Sequence, residues 1–452
     1  MKASGRWTLS MLLGLALVAA GCGGGDDEGD RDATVGDVAG DTAVPDEAAG
    51  DPGSETLTQQ QRYLESDRYA SEIASSLPAA NTAFAVRLFQ HLNAAEGAGK
   101  NLFVSPLSVS TALSMVLQGA TGETRTAMEA TLGYAGIERA DLAGAWKALI
   151  HSLHNVDDDV TLAIADSVWM DQSFAPSVKA AFLEAMVESF DSEVRSLDFQ
   201  DTAALDTING WVEDHTNGRI QDLIDQIPPG VVMYLINALY FKAAWLYPFD
   251  PDETAKEDFV RADGTMAPVD MMKFPKRVTS FKFMADDDYC VLRLPYGRDK
   301  VAFYGIIPWT YDGTKTVEDL VAGMTAEKLQ AYLDGVALPV GEGNGISVWL
   351  PRFKIEYKKL LNDALVALGM GPAFELGGFD DIAEGIGISR VIHQTFVEVT
   401  EEGTEAAAAT AVEVFSGITP NFIGNRPFFF VIRDDRSGTI LFMGKVADPS
   451  AG

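Results

Sequence analysis

The sequence predicts an α+β fold with large mixed sheets, and three observations carry that prediction. Apolar residues recur at helical spacing early in the folded part, later segments switch to strand-like runs, and no linker interrupts residues 79–448, so they read as one large domain. Phe84, Leu88, Phe89 and Leu92 follow Asn81-Thr82, which suits an N-cap. Ser105-Pro106 opens a second helix, with proline in the tolerated first turn. Residues 123–132, 142–153, 178–190 and 207–224 also read as helices, the last with Ile208, Trp211 and Val212 on one side. Residues 231–245 form a long apolar run rich in aromatic and β-branched side chains, most simply a buried central strand. Further strands are expected at 291–294, 301–307, 346–355, 391–400, 428–432 and 440–446, with a helix at 358–368 between them.

The 452 residues carry 34 basic and 66 acidic side chains, a formal charge of −32. A balance this acidic argues against nucleic acid and against direct docking on anionic lipid. Hydrophobic residues make up 47%, enough for a sizeable core. Two cysteines exclude a disulfide scaffold and a Cys-rich zinc site.

The charge is unevenly spread. Lys2 and Arg6 precede an apolar run at 11–20, followed by Gly21-Cys22. A basic start, a short apolar core and small residues at the end are the parts of a secretory signal peptide over 1–21. The run is too short for an ordinary membrane span. Val18-Ala-Ala-Gly-Cys22 resembles a bacterial lipobox, which implies lipidation of Cys22, although Ala19 stands where such sites usually carry leucine. Ordinary secretion with cleavage near Ala20 is the other reading. Between 23 and 68 there are 13 acids and 3 bases, with few aliphatics and no amphipathic period. Residues 22–75 therefore read as a disordered acidic tether, spanning roughly 40 Å. The expectation is an exported protein, lipid-anchored to the cell envelope (outer membrane or cell surface) or extracellular.

Searches for enzyme chemistry return little. No G-x-S-x-G, H-E-x-x-H, P-loop or G-x-G-x-x-G stands in the chain. His151 and His154 are one helical turn apart with no third ligand nearby, and read as a surface pair. Asp286, Asp287 and Asp288 read as a solvated turn, Cys290 as a buried inert thiol, and His393 as a hydrogen-bonded core histidine. No cofactor and no metal are expected, and no enzyme.

Residues 401–425 are the most informative stretch. They link two strands over a length that is uncommon in a compact domain and usually functional or disordered. Thr404, Ala406, Ala408, Thr410, Val412 and Val414 are all small or β-branched and uncharged. The alternate set, Glu405, Ala407, Ala409, Ala411, Glu413 and Phe415, holds both charges. That is a strand pattern with one face able to enter a core. No proline occurs from 401 to 419, and Gly403 offers a hinge. The competing reading is a helical surface loop, since alanine favours helix.

Read together, these segments resemble a serpin over essentially all of 79–448. The resemblance rests on Asn101-Leu-Phe-Val-Ser-Pro-Leu-Ser108, Gly119-Ala-Thr-Gly-Glu-Thr124, Asn209-Gly-Trp-Val212 with Thr216-Asn-Gly-Arg-Ile220, and Asn237-Ala-Leu-Tyr-Phe-Lys-Ala-Ala-Trp245. Leu294-Pro-Tyr296, Leu350-Pro-Arg-Phe-Lys354, Arg426-Pro-Phe428 and the hinge signature Glu401-Glu-Gly-Thr-Glu-Ala-Ala407 complete it. Gly424, where the family prefers an apolar residue, and Ala243, in place of a common glycine, depart from the pattern.

The resemblance implies about nine helices, three β-sheets and an exposed reactive-centre loop. It implies suicide inhibition, in which a serine or cysteine protease forms an acyl-enzyme on the loop, residues 404–414 insert into the large sheet, and the protease is distorted before deacylation. The hinge would be Glu401, Glu402, Gly403, Thr404, Glu405, Ala406, Ala407, Ala408, Ala409 and Thr410. Ser105, Ser108, Asn237 and His393 match the family's polar cluster where the sheet parts, and Trp245 the aromatic where the hinge enters. Family spacing puts the reactive bond at Gly417–Ile418, with Ser416, Phe415 and Val414 as alternatives. No Lys or Arg occurs from 401 to 425, so the expected targets are elastase-, subtilisin- or chymotrypsin-like, or papain-like cysteine proteases, and not trypsin-like ones. A monomer is expected. A non-inhibitory, surface-tethered binding protein is the alternative.

Overall fold

The computed structural model describes residues 58–73, 76–274, 276–308, 314–339, 345–402 and 421–451, together with the backbone of 11–21. Among them are ten α-helices: α1 (Gln59–Glu72), α2 (Ser76–Glu96), α3 (Pro106–Leu117), α4 (Gly122–Leu132), α5 (Arg139–His154), α6 (Ala180–Phe190), α7 (Thr202–His215), α8 (Val317–Ala322), α9 (Ala326–Asp334) and α10 (Asn362–Leu365).

Three sheets accompany them. The first runs β12 (Phe353–Leu360), β13 (Ile386–Val399), β1 (Met11–Gly21), β5 (Val231–Ala243), β3 (Val160–Asp171), β4 (Glu193–Leu197). The second runs β2 (Leu102–Val104), β16 (Thr439–Val446), β15 (Phe428–Asp434), β10 (Val301–Pro308), β9 (Tyr289–Tyr296), β8 (Lys282–Ala285). The third runs β14 (Asn421–Ile423), β11 (Ser347–Pro351), β7 (Met266–Lys273), β6 (Ala255–Val260).

The central helix is α3. Ser105 caps it, its hydroxyl accepting from the Ser108 N–H at 3.2 Å, and all twelve helical residues are buried. A helix buried on every side can carry only apolar or small polar side chains, as Pro106-Leu-Ser-Val-Ser-Thr-Ala-Leu does, and the Thr111 hydroxyl donates back to the Leu107 carbonyl. The large core fills the space between α3 and the sheets, and a second cluster lies under α7 on the opposite face of the first sheet.

Several local expectations are corrected by tertiary packing. Asn81 and Thr82 do not cap α2, which begins at Ser76; both are buried inside it, Asn81 accepting from the Tyr134 hydroxyl at 2.6 Å. The helix expected to reach 224 stops at His215, where the Thr216 hydroxyl donates to the Val212 carbonyl and accepts from the Ile220 N–H. The single strand expected at 346–355 is two strands of different sheets, parted at Arg352, whose N–H donates to the Asp270 carbonyl. The helix expected at 358–368 starts late: 358–360 extend β12, and α10 begins at Asn362 and continues as a π-helical stretch over Val366–Met370. β2, β3, β4, β6, β7, β8 and β14, with α8 and α9, escaped the sequence reading.

Residues 59–72, assigned to the tether on composition, form α1. Thr58 and Gln61 make a reciprocal capping box. The helix packs on α5, its Tyr69 ring stacked 5.0 Å from His151, and the Ser66 hydroxyl donates to the Ser152 carbonyl at 2.5 Å. Asp67 takes Lys300 at 2.9 Å and Arg436 at 3.2 Å. Burial by itself would raise the Asp67 carboxyl, but the hydrogen bonds from Lys300 and Arg436 outweigh it and hold it below the ordinary carboxylate range. The ion pairs are therefore present at neutral pH and lost as pH falls through that range. His151 is thus not a free surface residue, and burial holds the His154 imidazole below its ordinary value.

Candidate functional site

In the first sheet, β5 and β13 run in the same direction with one strand, β1, between them and antiparallel to both. Leu15 lies in register opposite both Asn237 of β5 and His393 of β13. With strands about 4.8 Å apart, β5 and β13 stand roughly 10 Å from one another. Each offers a row of backbone donors and acceptors that only a further strand, or closure of the gap, can satisfy. In the full chain the eleven-residue run read as a leader fills this slot; it contains no proline to interrupt the ladders.

The face of the slot toward α3 is polar. His393 is fully buried, and its Nε2 accepts the Ser105 N–H at 3.2 Å. The Ser105 hydroxyl also donates to the Leu441 carbonyl at 2.7 Å, tying α3 to β16. Burial pushes the His393 imidazole down to about 3, so it is neutral throughout the physiological range. Ser105, Ser108 and His393 are thus brought together. Asn237 is not joined to them: its amide donates instead to Asp166 of β3 at 2.9 Å, across the β3–β5 ladder. Asp166 was missed by the sequence reading, because no local signal distinguishes it from a surface carboxylate.

The upper end of the slot is aromatic. Trp245 stacks on Tyr296 at 4.3 Å and meets Phe249 and Phe303 edge-on. Its indole N–H donates to the Thr400 carbonyl at 2.9 Å, directly before the hinge. The next residue, Glu401, is only 3% exposed. Its carboxylate accepts Arg352 Nε at 2.7 and 2.6 Å and the Thr254 hydroxyl, and its carbonyl accepts the Phe249 N–H at 3.2 Å. The hydrogen bond to Glu401 raises the Arg352 guanidinium above its ordinary value. Arg352 is the second residue the sequence reading missed; the break between β11 and β12 turns it toward the hinge.

The loop therefore leaves the first sheet from a fixed point. Glu402 ends the described part, and the chain resumes at Asn421 in β14, which pairs in parallel with β11 of the third sheet. Gly403 to Pro420, including the inward set 404–414 and the expected bond Gly417–Ile418 with its alternatives Ser416, Phe415 and Val414, lies outside the described residues, as does Cys22. Gly424 has a local reason: a Cβ there would stand 3.0 Å from Pro351 Cδ and from the Trp349 carbonyl. Elsewhere, Cys290 is buried, and burial, with Asp286 nearby, pushes its thiol up to about 12. Among the described residues no group of His, Cys, Asp and Glu is placed to hold a metal ion, and no helix is long and apolar enough to cross a membrane.

A family model described as serpin (serine protease inhibitor) matches residues 79–449. The chain is a serpin. It is 32% identical to a serpin-like protein of Methanosarcina acetivorans over 82% of this chain and 88% of that one. It is 33% identical to the leukocyte elastase inhibitor of Sus scrofa, over 82% and 99%. Among solved structures, the thermophilic serpin tengpin in its native state superposes with a TM-score of 0.69 at 26% identity, covering 88% of this chain and 96% of that one. Thyroxine-binding globulin in complex with thyroxine gives 0.70 at 27%, covering 83% and 99%. The serpin fold, with three sheets and ten helices among the described residues, agrees with the expected α+β class. Helix α1 precedes the part of this serpin that the family model matches.

Proposed function

We propose that this serpin is a suicide inhibitor of serine proteases with apolar or small-residue specificity, and of papain-like cysteine proteases as a second group. The observation that supports this reading is the continuity between an anchored hinge and an insertable strand. Trp245 and Arg352 hold Thr400 and Glu401 at the mouth of a one-strand slot, and the sequence that follows alternates small uncharged residues over 404–414. That segment has eleven residues, as many as the strand seated between β5 and β13. After cleavage, its entry would complete two backbone ladders and bury its uncharged face toward α3, which favours insertion and draws the attached protease along.

The absence of Lys and Arg between 401 and 425 directs the choice of protease. Mixing the chain with elastase-like or subtilisin-like enzymes should give a covalent complex that survives denaturing electrophoresis, and mass spectrometry should find a released peptide beginning at Ile418. Trypsin should give none. Cleavage by every enzyme without a complex would make the chain a substrate and overturn the proposal.

Export and lipidation at Cys22 belong to the same proposal and rest on the 11–22 sequence alone. The mature N-terminal peptide is expected to begin with a diacylated Cys22, readable by its mass. An unmodified N-terminus near Gly21 would show plain secretion instead.

A further inference from the structure

Asp166 is buried, 2% exposed, in the middle of the first sheet. It is paired across the ladder with Asn237, 1% exposed, on the strand that borders the slot. Each side chain has one satisfied atom and one orphan. Asn237 Nδ2 donates to Asp166 Oδ1 at 2.9 Å, while Asp166 Oδ2 and Asn237 Oδ1 are both buried without a partner among the described residues. Two acceptors cannot satisfy one another. One proton on Asp166 Oδ2 resolves both at once, because a neutral carboxyl donates through Oδ2 and accepts through Oδ1. Acid and amide then form a cyclic pair of two hydrogen bonds bridging β3 and β5.

We propose that protonation of Asp166 is a latch that commits Asn237 to β3 and so controls how readily β5 and β13 part. With the proton in place, both polar atoms of the Asn237 amide are used on the β3 side. When the proton leaves, the Asp166 carboxylate repels Asn237 Oδ1, and the amide is free to turn toward the slot. On the far side His393 carries an unpartnered Nδ1, fully buried. Because Nε2 accepts from Ser105, the neutral ring carries its proton on Nδ1; with the slot empty, Asn237 and His393 become facing neighbours, so Nδ1–H can donate to the released Asn237 Oδ1 and hold the gap closed.

The surroundings favour a proton that titrates near neutrality. Burial, set against the hydrogen bond from Asn237, pushes the Asp166 carboxyl up to about 7. The charge that faces it, Asp191 in the turn between α6 and β4, has the same sign and acts in the same direction. From α5, His154 is held below its ordinary value by burial, and His393 on β13 is neutral. Ser105 and Ser108 of α3 are uncharged, and α7 lies on the opposite face of the sheet. Among the described residues, Asp166 thus has no cationic partner to keep it ionised.

This inference concerns the sheet and does not require that the protein inhibit any protease. Its test is amide hydrogen exchange of the peptides covering 231–243 and 386–399 between pH 6 and 8, corrected for intrinsic exchange, in the chain that begins at Cys22 with its loop uncleaved, so that residues 11–21 do not fill the slot. Opening should become about tenfold rarer as pH rises through 7, the worth of one hydrogen bond. Asp166→Asn, whose amide always carries the second donor, should stay at the acid-limit opening at every pH. Infrared spectra of the wild-type chain should show a carboxylic-acid C=O band that disappears near pH 7 and is missing from Asp166→Asn. An identical pH profile in the two proteins, or a wild-type spectrum lacking that band at pH 6, would overturn the proposal. Loss of inhibition with an intact exchange profile would instead count against the inhibitory reading alone.

Discussion

Thr404→Arg is expected to convert the chain from an inhibitor into a substrate. Position 404 heads the inward set of the alternating segment, so on insertion its side chain would enter the core near Trp245 and the upper ends of β5 and β13. An unpaired guanidinium buried there costs several kcal/mol, and each 1.4 kcal/mol is a factor of ten. Insertion would slow by at least about 100-fold, while attack on the proposed bond some dozen residues away would be unaffected. Deacylation then outruns insertion. The measurement is the molar excess of serpin needed to silence an elastase-like enzyme, together with the yield of covalent complex. The control is Glu405→Arg, one position on and on the outward face, which should inhibit normally. Equal complex formation by both variants would sink the proposed insertion of 404–414.

Arg352→Ala is expected to loosen the hinge and shorten the life of the loop-expelled state. Glu401 is nearly inaccessible and depends on Arg352 and Thr254 for its hydrogen bonds. Breaking a fully buried pair costs about 3–5 kcal/mol. Here the Arg352 side chain is 44% exposed, so water can partly replace it, and about 1–2 kcal/mol is the reasonable figure. In a domain of this size that corresponds to a fall in the melting temperature of about 1–3 °C. Inhibitory activity should also decay faster on incubation, because the first residue of the hinge is no longer held out of the slot. Arg352→Lys keeps the charge but loses the planar fork, and should fall between the two. Unchanged melting and unchanged activity half-life would show that Thr254 and the backbone contact to Phe249 hold Glu401 without Arg352.

These two variants also mark how far the sequence could be read. Thr404 was identified without coordinates, because a period of two is a property of neighbouring residues and survives any packing. The helix opened by Ser105-Pro106 was likewise found from adjacent residues. Arg352 and Asp166 were not, since one looked like part of a continuous strand and the other like an ordinary carboxylate. Their roles depend on partners 49 and 71 positions away, Glu401 and Asn237. Helix α1 was missed for a similar reason. Its own composition is polar, and it is secured by Lys300, Arg436 and Ser152, which no local pattern announces.

The sequence by itself determined the α+β class, the alternation over 404–414 and the absence of Lys and Arg between 401 and 425. All of these are encoded in residues adjacent in the chain, where spacing and propensity act directly. Tertiary structure alone decided that β5 and β13 stand one strand apart, that Glu401 is clamped at the mouth of that gap, and that Asp166 shares its proton problem with Asn237. Those are consequences of which strands become neighbours, and burial between them is what turns an ordinary carboxylate or arginine into a group that must find a partner.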